Sequence, residues 1–420
     1  MRIGVVVQRY GVDVNGGAEL LCRTTCEHLA QNPQVERLTV LTTCARDHIT
    51  WANHYPQGRT IEAGVEVERF ATAFDRLVSV QDRLSRFVLK TRLLPGLEPP
   101  WFVAQGPIAP GLLRRLVASS RANEFDAYLF FTYLYAHTVF GLPLVARRAV
   151  LAPTAHDERP IHMNTFKLLF RMPRGFAFLT PEEQSFVHST FPASQSVPSA
   201  VVGTGITMPE GPPPTIDRMP DGPFVLYVGR IEPQKGFPEF FEHFDAFKRA
   251  HAHETFLDSA GRPFPGHALK LVLAGRASWV EVPARDDVVA LGFVSDDEKR
   301  ALMARCEVFI LPSRYESLSL VLLESWANRR PVMVNAGCEA TSGQVRRARG
   351  GWVYDGAEGF CEVLSALLRD PERRRVAADE GYAFVQDGYA WPRFEERLLD
   401  LVEASVNPQE GRGARREVQP

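Results

Sequence analysis

Two cations and two carboxylates carry the clearest chemical signals in this chain, and they fall in two short segments. The first is YVGRIEPQKG, Tyr227–Gly236, where Arg230 and Lys235 flank a short turn after an apolar run and Gly236 opens the next helical pattern. Two cations beside a helix N-terminus make an anion site. The planar fork of Arg230 suits phosphate oxygens, and Lys235 supplies a point charge. A solvated turn with two surface cations is the plain alternative. The second segment is ESLSLVLLES, Glu316–Ser325, which sets Glu316 and Glu324 around an apolar run. Carboxylates seldom go to the core unless paired. Glu316 follows the strand-like Glu307–Leu311 and the turn Pro312–Tyr315, whereas Glu324 lies inside the helix expected over Leu320–Arg329. Ser317 and Ser319 are good helix-start residues, and the stretch Ser317, Leu318, Ser319, Leu320 would offer backbone N–H groups to an anion. A carboxylate for one sugar, amides for a phosphate and a carboxylate for a second sugar would suit a nucleotide sugar. Two surface glutamates with a capping role are the competing reading.

Two further loops carry candidates. RYGVDVNGGAE, Arg9–Glu19, joins the first strand to the first helix, and Gly16 and Gly17 would let a ligand phosphate approach the backbone. The loop is neither the GxGxxG dinucleotide fingerprint nor a GxxxxGK[ST] phosphate loop, which weighs against an NAD-dependent enzyme and a P-loop enzyme. A plain strand-to-helix turn is its alternative. His156 lies in PTAHDER after a buried strand. Neighbouring side chains at such a turn diverge, so His156, Asp157 and Glu158 are poor common metal ligands. No Asp-x-Asp pair occurs in the chain. His156 reads as a polar group at a cleft or as a hydrogen-bonded structural histidine, and no metal site is expected.

The elements that must hold these residues alternate. Arg2–Gln8, Arg37–Thr43, Ala127–Thr132 and Ala149–Thr154 read as buried strands, with helices over Ala18–Gln31, Gly111–Arg121 and Tyr135–Arg147. Met208–Gly222, with five prolines, breaks the pattern. The alternation restarts with strands Phe224–Gly229, Lys270–Ala274, Glu307–Leu311 and Pro331–Asn335 and helices Phe237–Ala250, Asp296–Arg305 and Leu320–Arg329. This predicts α/β architecture: two tandem Rossmann-like parallel-sheet domains with helices on both faces. The expected boundaries are 1–207, a linker 208–222, 223–388, a terminal helix 389–406 and a polar, disordered tail 407–420. Ligands of such sheets bind beyond the carboxyl ends of the strands, so a cleft between facing domains is the default site.

Composition excludes several classes. At 420 residues, 45% hydrophobic and 23% charged with net charge −2, the chain is an average globular one and too long for a single core. Near-neutral charge removes the main argument for nucleic-acid binding. Six scattered cysteines lack zinc-ligand spacing and suggest reduced thiols in a cytoplasmic protein. No run is long and apolar enough to span a bilayer. Leu77–Leu94 is amphipathic, with Arg83, Arg86, Lys90 and Arg92 among apolar residues. Such a helix could rest on an anionic membrane, or it could simply pack on the first domain.

Together these pieces resemble family four of the glycosyltransferases, which has the GT-B fold. The carriers are NGGAE at Asn15–Glu19, GRIEPQKG at Gly229–Gly236, LGFVSDDEKRALMARCEVFILPSRYES from Leu291 to Ser317, and the E-x7-E pair Glu316 and Glu324. The resemblance implies a retaining, metal-independent hexosyltransferase-type enzyme that takes a nucleotide-diphosphate sugar as substrate, needs no cofactor and works in polysaccharide or glycoconjugate synthesis. It assigns Arg230 and Lys235 to the donor diphosphate, Glu316 to the transferred sugar and Glu324 to the ribose. Gly16 and Gly17 would approach the phosphates, His156 the reacting sugar, and the backbone at Phe293 and Val294 the base. The acceptor, a glycan, lipid-linked or small-molecule hydroxyl, would bind the first domain, and the helix from Trp391 would cross back to that domain. The chain departs from the family where Ser317-Leu318-Ser319 replaces a common Gly-Phe-Gly and where Arg329 replaces a common glycine. A catalytically inactive sugar-nucleotide-binding or scaffold protein of the same fold is the alternative.

Overall fold

The computed structural model describes residues 1–14, 16–88 and 98–406. Its contacts divide the chain into two units, Met1–Gly205 joined by the segment from Trp391, and Ile206–Ala390.

The first unit contains β1 (Arg2–Val6), β2 (Arg37–Thr43), β3 (Gly58–Glu62), β4 (Val65–Phe70), β5 (Ala127–Phe131), β6 (Ala149–Ala152), β7 (Gly175–Phe178) and β8 (Ser199–Val201). Its helices begin with α1 (Gly17–Leu29), α2 (Val78–Val88), α3 (Glu98–Gln105) and α4 (Pro110–Arg121), followed by α5 (Ala136–Gly141), α6 (Asn164–Leu169) and α7 (Pro181–Thr190). The strands form one sheet in the order β3-β4-β2-β1-β5-β6-β7-β8, antiparallel only at β3–β4. Strands β5, β6 and β7 are buried along their whole length, as the central strands of a helix-covered parallel sheet should be.

The hairpin β3–β4 escaped the sequence reading, although Val65–Phe70 alternates buried and half-buried residues. Ala63 and Gly64 both take positive φ, which matches the twist of a tight two-residue hairpin. The helix expected over Tyr135–Arg147 is instead α5 followed by a 3-10 segment, Leu142–Arg148. Pro143 lacks the N–H that a continuous helix would need there.

The second unit contains β9 (Phe224–Val228), the hairpin β10 (Thr255–Leu257) and β11 (Pro263–Pro265), β12 (Lys270–Ala274), β13 (Val288–Gly292), β14 (Val308–Leu311), β15 (Val332–Asn335) and β16 (Gly351–Tyr354). Its helices are α8 (Glu239–His251), α9 (Asp296–Met303), α10 (Leu320–Ala327), α11 (Glu339–Ala348), α12 (Gly356–Arg369) and α13 (Pro371–Gly388). The six-stranded sheet is wholly parallel and runs β13-β12-β9-β14-β15-β16. Leaving the small hairpin aside, that is the 3-2-1-4-5-6 order of a doubly wound dinucleotide-type sheet. The strand order reverses between β9 and β14. Met208–Gly222 has no helix or strand and is tied to this unit, since Arg300 donates to the carbonyls of Glu210 and Gly211 and Arg218 pairs with Glu298.

Helix α14 (Trp391–Val406) returns to the first unit. The Trp391 indole stacks on His28 of α1 at 3.5 Å, and Asn32 donates to Glu395. Gly205 makes room for this helix, because a Cβ there would meet the Trp391 ring at 2.1 Å. No helix among the described residues is long and apolar enough to cross a membrane. Helix α2 packs one side on α3, where Trp101 donates to Ser85 and Gln81 to Gln105, and Leu84 joins the core. Its other side leaves Val80, Arg83, Arg86 and Phe87 exposed beside Leu77 and Phe74. The end of the amphipathic stretch, beyond Val88, lies outside the described residues.

Candidate functional site

In a doubly wound sheet the crevice opens beyond the strand ends where the order reverses. Here that point is bordered by the loop after β9, which carries Arg230 and Lys235, and the loop after β14, which carries Glu316. Two segments 81 residues apart are thereby brought together: Lys235 Nζ donates to Glu316 Oε1 at 2.7 Å.

Gly236 makes this meeting geometrically feasible. It does not open a helix; it closes the 3-10 turn Pro233–Lys235 in the left-handed region at φ +88°, and α8 starts only at Glu239. A Cβ on Gly236 would stand 2.3 Å from the Pro312 carbonyl oxygen at the end of β14. Only glycine satisfies both the backbone angle and that approach. The arginine side of the loop is braced as well. Tyr227 donates to the Arg230 carbonyl at 2.7 Å, and the half-exposed Arg230 guanidinium lies 3.0 Å from Glu232. Burial, with Glu316 and Glu232 adding to it, holds the Tyr227 phenol well above its ordinary range, so it stays a neutral donor.

The Glu316 loop is fixed from the neighbouring strand. Asn335, at the end of β15, donates to the Pro312 carbonyl at 3.2 Å, and the Cys338 thiol lies 4.0 Å from the Glu316 carbonyl. Burial raises the Cys338 pKa, which keeps the thiol protonated. Ser319 is the N-cap of α10 and accepts a long bond, 3.4 Å, from the Leu322 amide. Leu318 is buried, while Ser317 and Leu320 are half-buried.

Glu324 belongs to a second pair. Lys299 of α9 donates to its Oε1 at 2.9 Å and also lies 3.1 Å from Asp296. Burial raises the Glu324 carboxyl above the usual range, and Lys299 opposes that rise. Burial disfavours the Lys299 ammonium, but Glu324 and Asp296 outweigh it and raise its pKa. Phe293, exposed, and Val294, half-buried, lie between β13 and α9. Their loop is clamped by Arg218, which donates to the Leu291 carbonyl at 2.7 Å and reaches the Phe293 carbonyl at 3.5 Å.

Gly16, Gly17 and His156 belong to the first unit, in loops at the carboxyl end of its own sheet. Gly16 is the N-cap of α1, and a Cβ there would strike the Glu19 carboxylate at 2.1 Å. Glu19 is buried and accepts from Gln8 at 2.8 Å and from Arg9, which ties the loop after β1 closed. Gly17 has open space where a side chain would go. His156 Nε2 lies 3.7 Å from Glu158, whose other oxygen accepts from Tyr133 at 2.5 Å. The Ala155 amide, next to His156, donates to the buried Glu183 at 2.6 Å. Among the described residues no cluster of three or more His, Cys, Asp or Glu could hold a metal ion.

Arg329, unexplained in the sequence, has a structural role. Its φ of +54° is a conformation glycine adopts freely, and the side chain compensates. The guanidinium lies 2.6 Å from Asp379 and 3.7 Å from the centre of the Tyr382 ring, which fastens α10 to α13. Sequence reasoning missed Tyr227, Glu232, Asn335 and Lys299 as supports of the site. Lys299 meets Glu324 across 25 residues, and nothing local in the sequence announces that meeting.

Residues 216–384, inside the second unit, match the family model described as glycosyl transferases group 1. The match covers most of the second unit and none of the first. The chain is similar to the alpha-D-kanosaminyltransferase of Streptomyces kanamyceticus, 32% identical over 38% of this chain and 40% of that one. It is also similar to the lipopolysaccharide core biosynthesis glycosyltransferase LpsE of Rhizobium meliloti, 28% identical over 44% of this chain and 52% of that one. These matches span about half of the relatives' lengths. The solved structure of Anabaena HepE in complex with UDP-glucose superposes with TM-score 0.62 at 15% identity, covering 96% of this chain and all of that one. The fold is that of the GT-B glycosyltransferases, and the group 1 match falls in its second unit.

Proposed function

We propose that the protein is a retaining glycosyltransferase, which moves a sugar from a nucleoside diphosphate sugar to a hydroxyl of a glycan, lipid-linked or small-molecule acceptor. The observation that carries this reading is the Lys235–Glu316 pair, with Arg230 beside it, at the reversal point of a group 1 domain. The relatives' names and the UDP-glucose bound by HepE support it.

In the proposed reaction the bond between the sugar's anomeric carbon and the diphosphate oxygen breaks, and its electron pair leaves with the diphosphate. The acceptor oxygen bonds to the same carbon from the same face, and its proton passes to a phosphate oxygen. Lys235 has three donors, of which Glu316 takes one, so it can hold a phosphate while fixing that carboxylate. Arg230, Lys235 and the amides at Ser317–Leu320 would stabilise the charge growing on the leaving group, often the largest catalytic contribution. Glu316 would bind sugar hydroxyls, Glu324 the ribose, Phe293 and Val294 the base, and His156 the reacting sugar. No metal is required in this scheme.

Titration with UDP, GDP and ADP sugars, followed by turnover on an acceptor panel, tests the reading. Lys235→Ala and Glu316→Ala should abolish transfer with the fold intact, and activity should survive excess chelator. Wild-type turnover by either variant removes the site assignment, and strict dependence on added Mg²⁺ or Mn²⁺ removes the metal-free scheme. Binding without turnover on any acceptor would favour the inactive binding protein instead. We also infer peripheral contact with an anionic membrane through Leu77, Val80, Arg83, Arg86 and Phe87, an apolar surface carrying two cations. Co-sedimentation with anionic but not neutral vesicles is expected, and no binding to either ends that idea.

A further inference from the structure

Glu324 differs in one respect from the carboxylates of Glu98 and Glu183. Glu98 accepts hydrogen bonds on both oxygens, from Asn164 and Thr165, and Glu183 does so from the amides of Ala155 and Leu179. Glu324 Oε1 is held by Lys299, but Oε2 is shut from solvent and has no partner. A buried acceptor left unmade is costly, so it needs a reason. The side chain as a whole is 24% exposed, and the terminal carboxylate torsion is soft. A small rotation would therefore present Oε2 at the opening while Oε1 stays on Lys299.

Lys299 is itself held in place. Asp296 flanks it on the same helix at 3.1 Å, and α9 is pinned by a capping box in which Ser295 and Glu298 satisfy each other's amides. Arg218 bonds both to Glu298 and to the carbonyls of Leu291 and Phe293. The ammonium thus stands in a rigid frame shared with the loop assigned above to the nucleotide base.

We propose that Lys299 is a positioning residue of the nucleoside pocket: by clamping one oxygen of Glu324 it aims the other at a vicinal diol, and so makes the site selective for ribonucleotides. This rests on the donor-binding reading above. It extends that reading to a residue outside the Glu316–Glu324 pair, and it assigns the preference for a diol to the Lys299–Glu324 unit.

Isothermal titration of UDP and of 2′,3′-dideoxy-UDP into wild type, Lys299→Met and Lys299→Arg separates the possibilities. Hydrogen bonds to a charged acceptor make the wild type prefer UDP by about 10-fold or more. In Lys299→Met that preference should collapse towards unity, with the affinity for the dideoxy analogue unchanged. Lys299→Arg should restore most of the preference. A merely structural lysine would weaken both nucleotides equally, and that result, or an unchanged preference in Lys299→Met, overturns the proposal. If wild type binds neither UDP nor its GDP and ADP counterparts, the donor-binding reading fails and takes this proposal with it.

Discussion

Gly236→Ala tests the joint that brings Lys235 to Glu316. The alanine must adopt φ +88°, and its Cβ must find room where the Pro312 oxygen stands 2.3 Å away. The left-handed conformation costs a non-glycine residue about 1–2 kcal/mol. The overlap is with backbone carbonyl and cannot be relieved by turning a side chain, which adds about 1–3 kcal/mol. The sum is about 3 kcal/mol, or roughly 6–12 °C in Tm for a unit of this size. The functional loss should be larger than the loss of stability. Relief of the overlap moves Lys235 away from Glu316, and a misplacement of about 1 Å can cost on the order of 100-fold in turnover. Thermal melts followed by donor kinetics well below the new Tm would separate the two effects. A variant that melts like wild type and turns over like wild type would refute the argument that this glycine is required by geometry.

Gly17→Ala makes the opposite case, because nothing lies within 4 Å of the added Cβ. Its stability should stay within about 1 kcal/mol of wild type, and a raised donor KM at unchanged Tm would be the mark of close ligand approach. Arg374→Met leaves Glu307 buried without its 3.0 Å partner, so urea denaturation should show a loss of about 3–5 kcal/mol. A loss under about 1 kcal/mol would mean that the buried pair contributes little. Burial pushes the Glu183 carboxyl up to about 8, so the folded chain keeps a proton that the unfolded chain loses near the ordinary glutamate value of 4.5. Stability from this group is therefore full below that lower value and is lost as pH rises towards about 8, at about 1.4 kcal/mol per pH unit. Between pH 5.5 and 7.5 the wild-type urea midpoint should fall more than that of Glu183→Gln, and parallel slopes would contradict the assignment.

Much of the candidate site's inventory was legible in the chain itself. Arg230, Lys235, Glu316 and Glu324 stand out because polar residues at fixed offsets interrupt apolar runs, and local spacing is enough to put them at strand ends and helix starts. The alternation of buried strands with helices gave the two α/β units for the same reason: periodicity is a local property. Local signals also misled where a single residue overrode the pattern, as Pro143 did in splitting the helix after Tyr135 and as the turn at Gly236 did in delaying α8 to Glu239.

The sequence by itself determined which residue types were available and on which kind of element each would sit. Tertiary structure alone decided their pairing. Strand order 3-2-1-4-5-6 sets β9 beside β14, and that adjacency, absent from any short window, joins Lys235 to Glu316. The same holds for Lys299 with Glu324 and for Arg329 with Asp379 and Tyr382. A charge has meaning only with its partner and its burial, and both are set by packing between segments far apart in the chain.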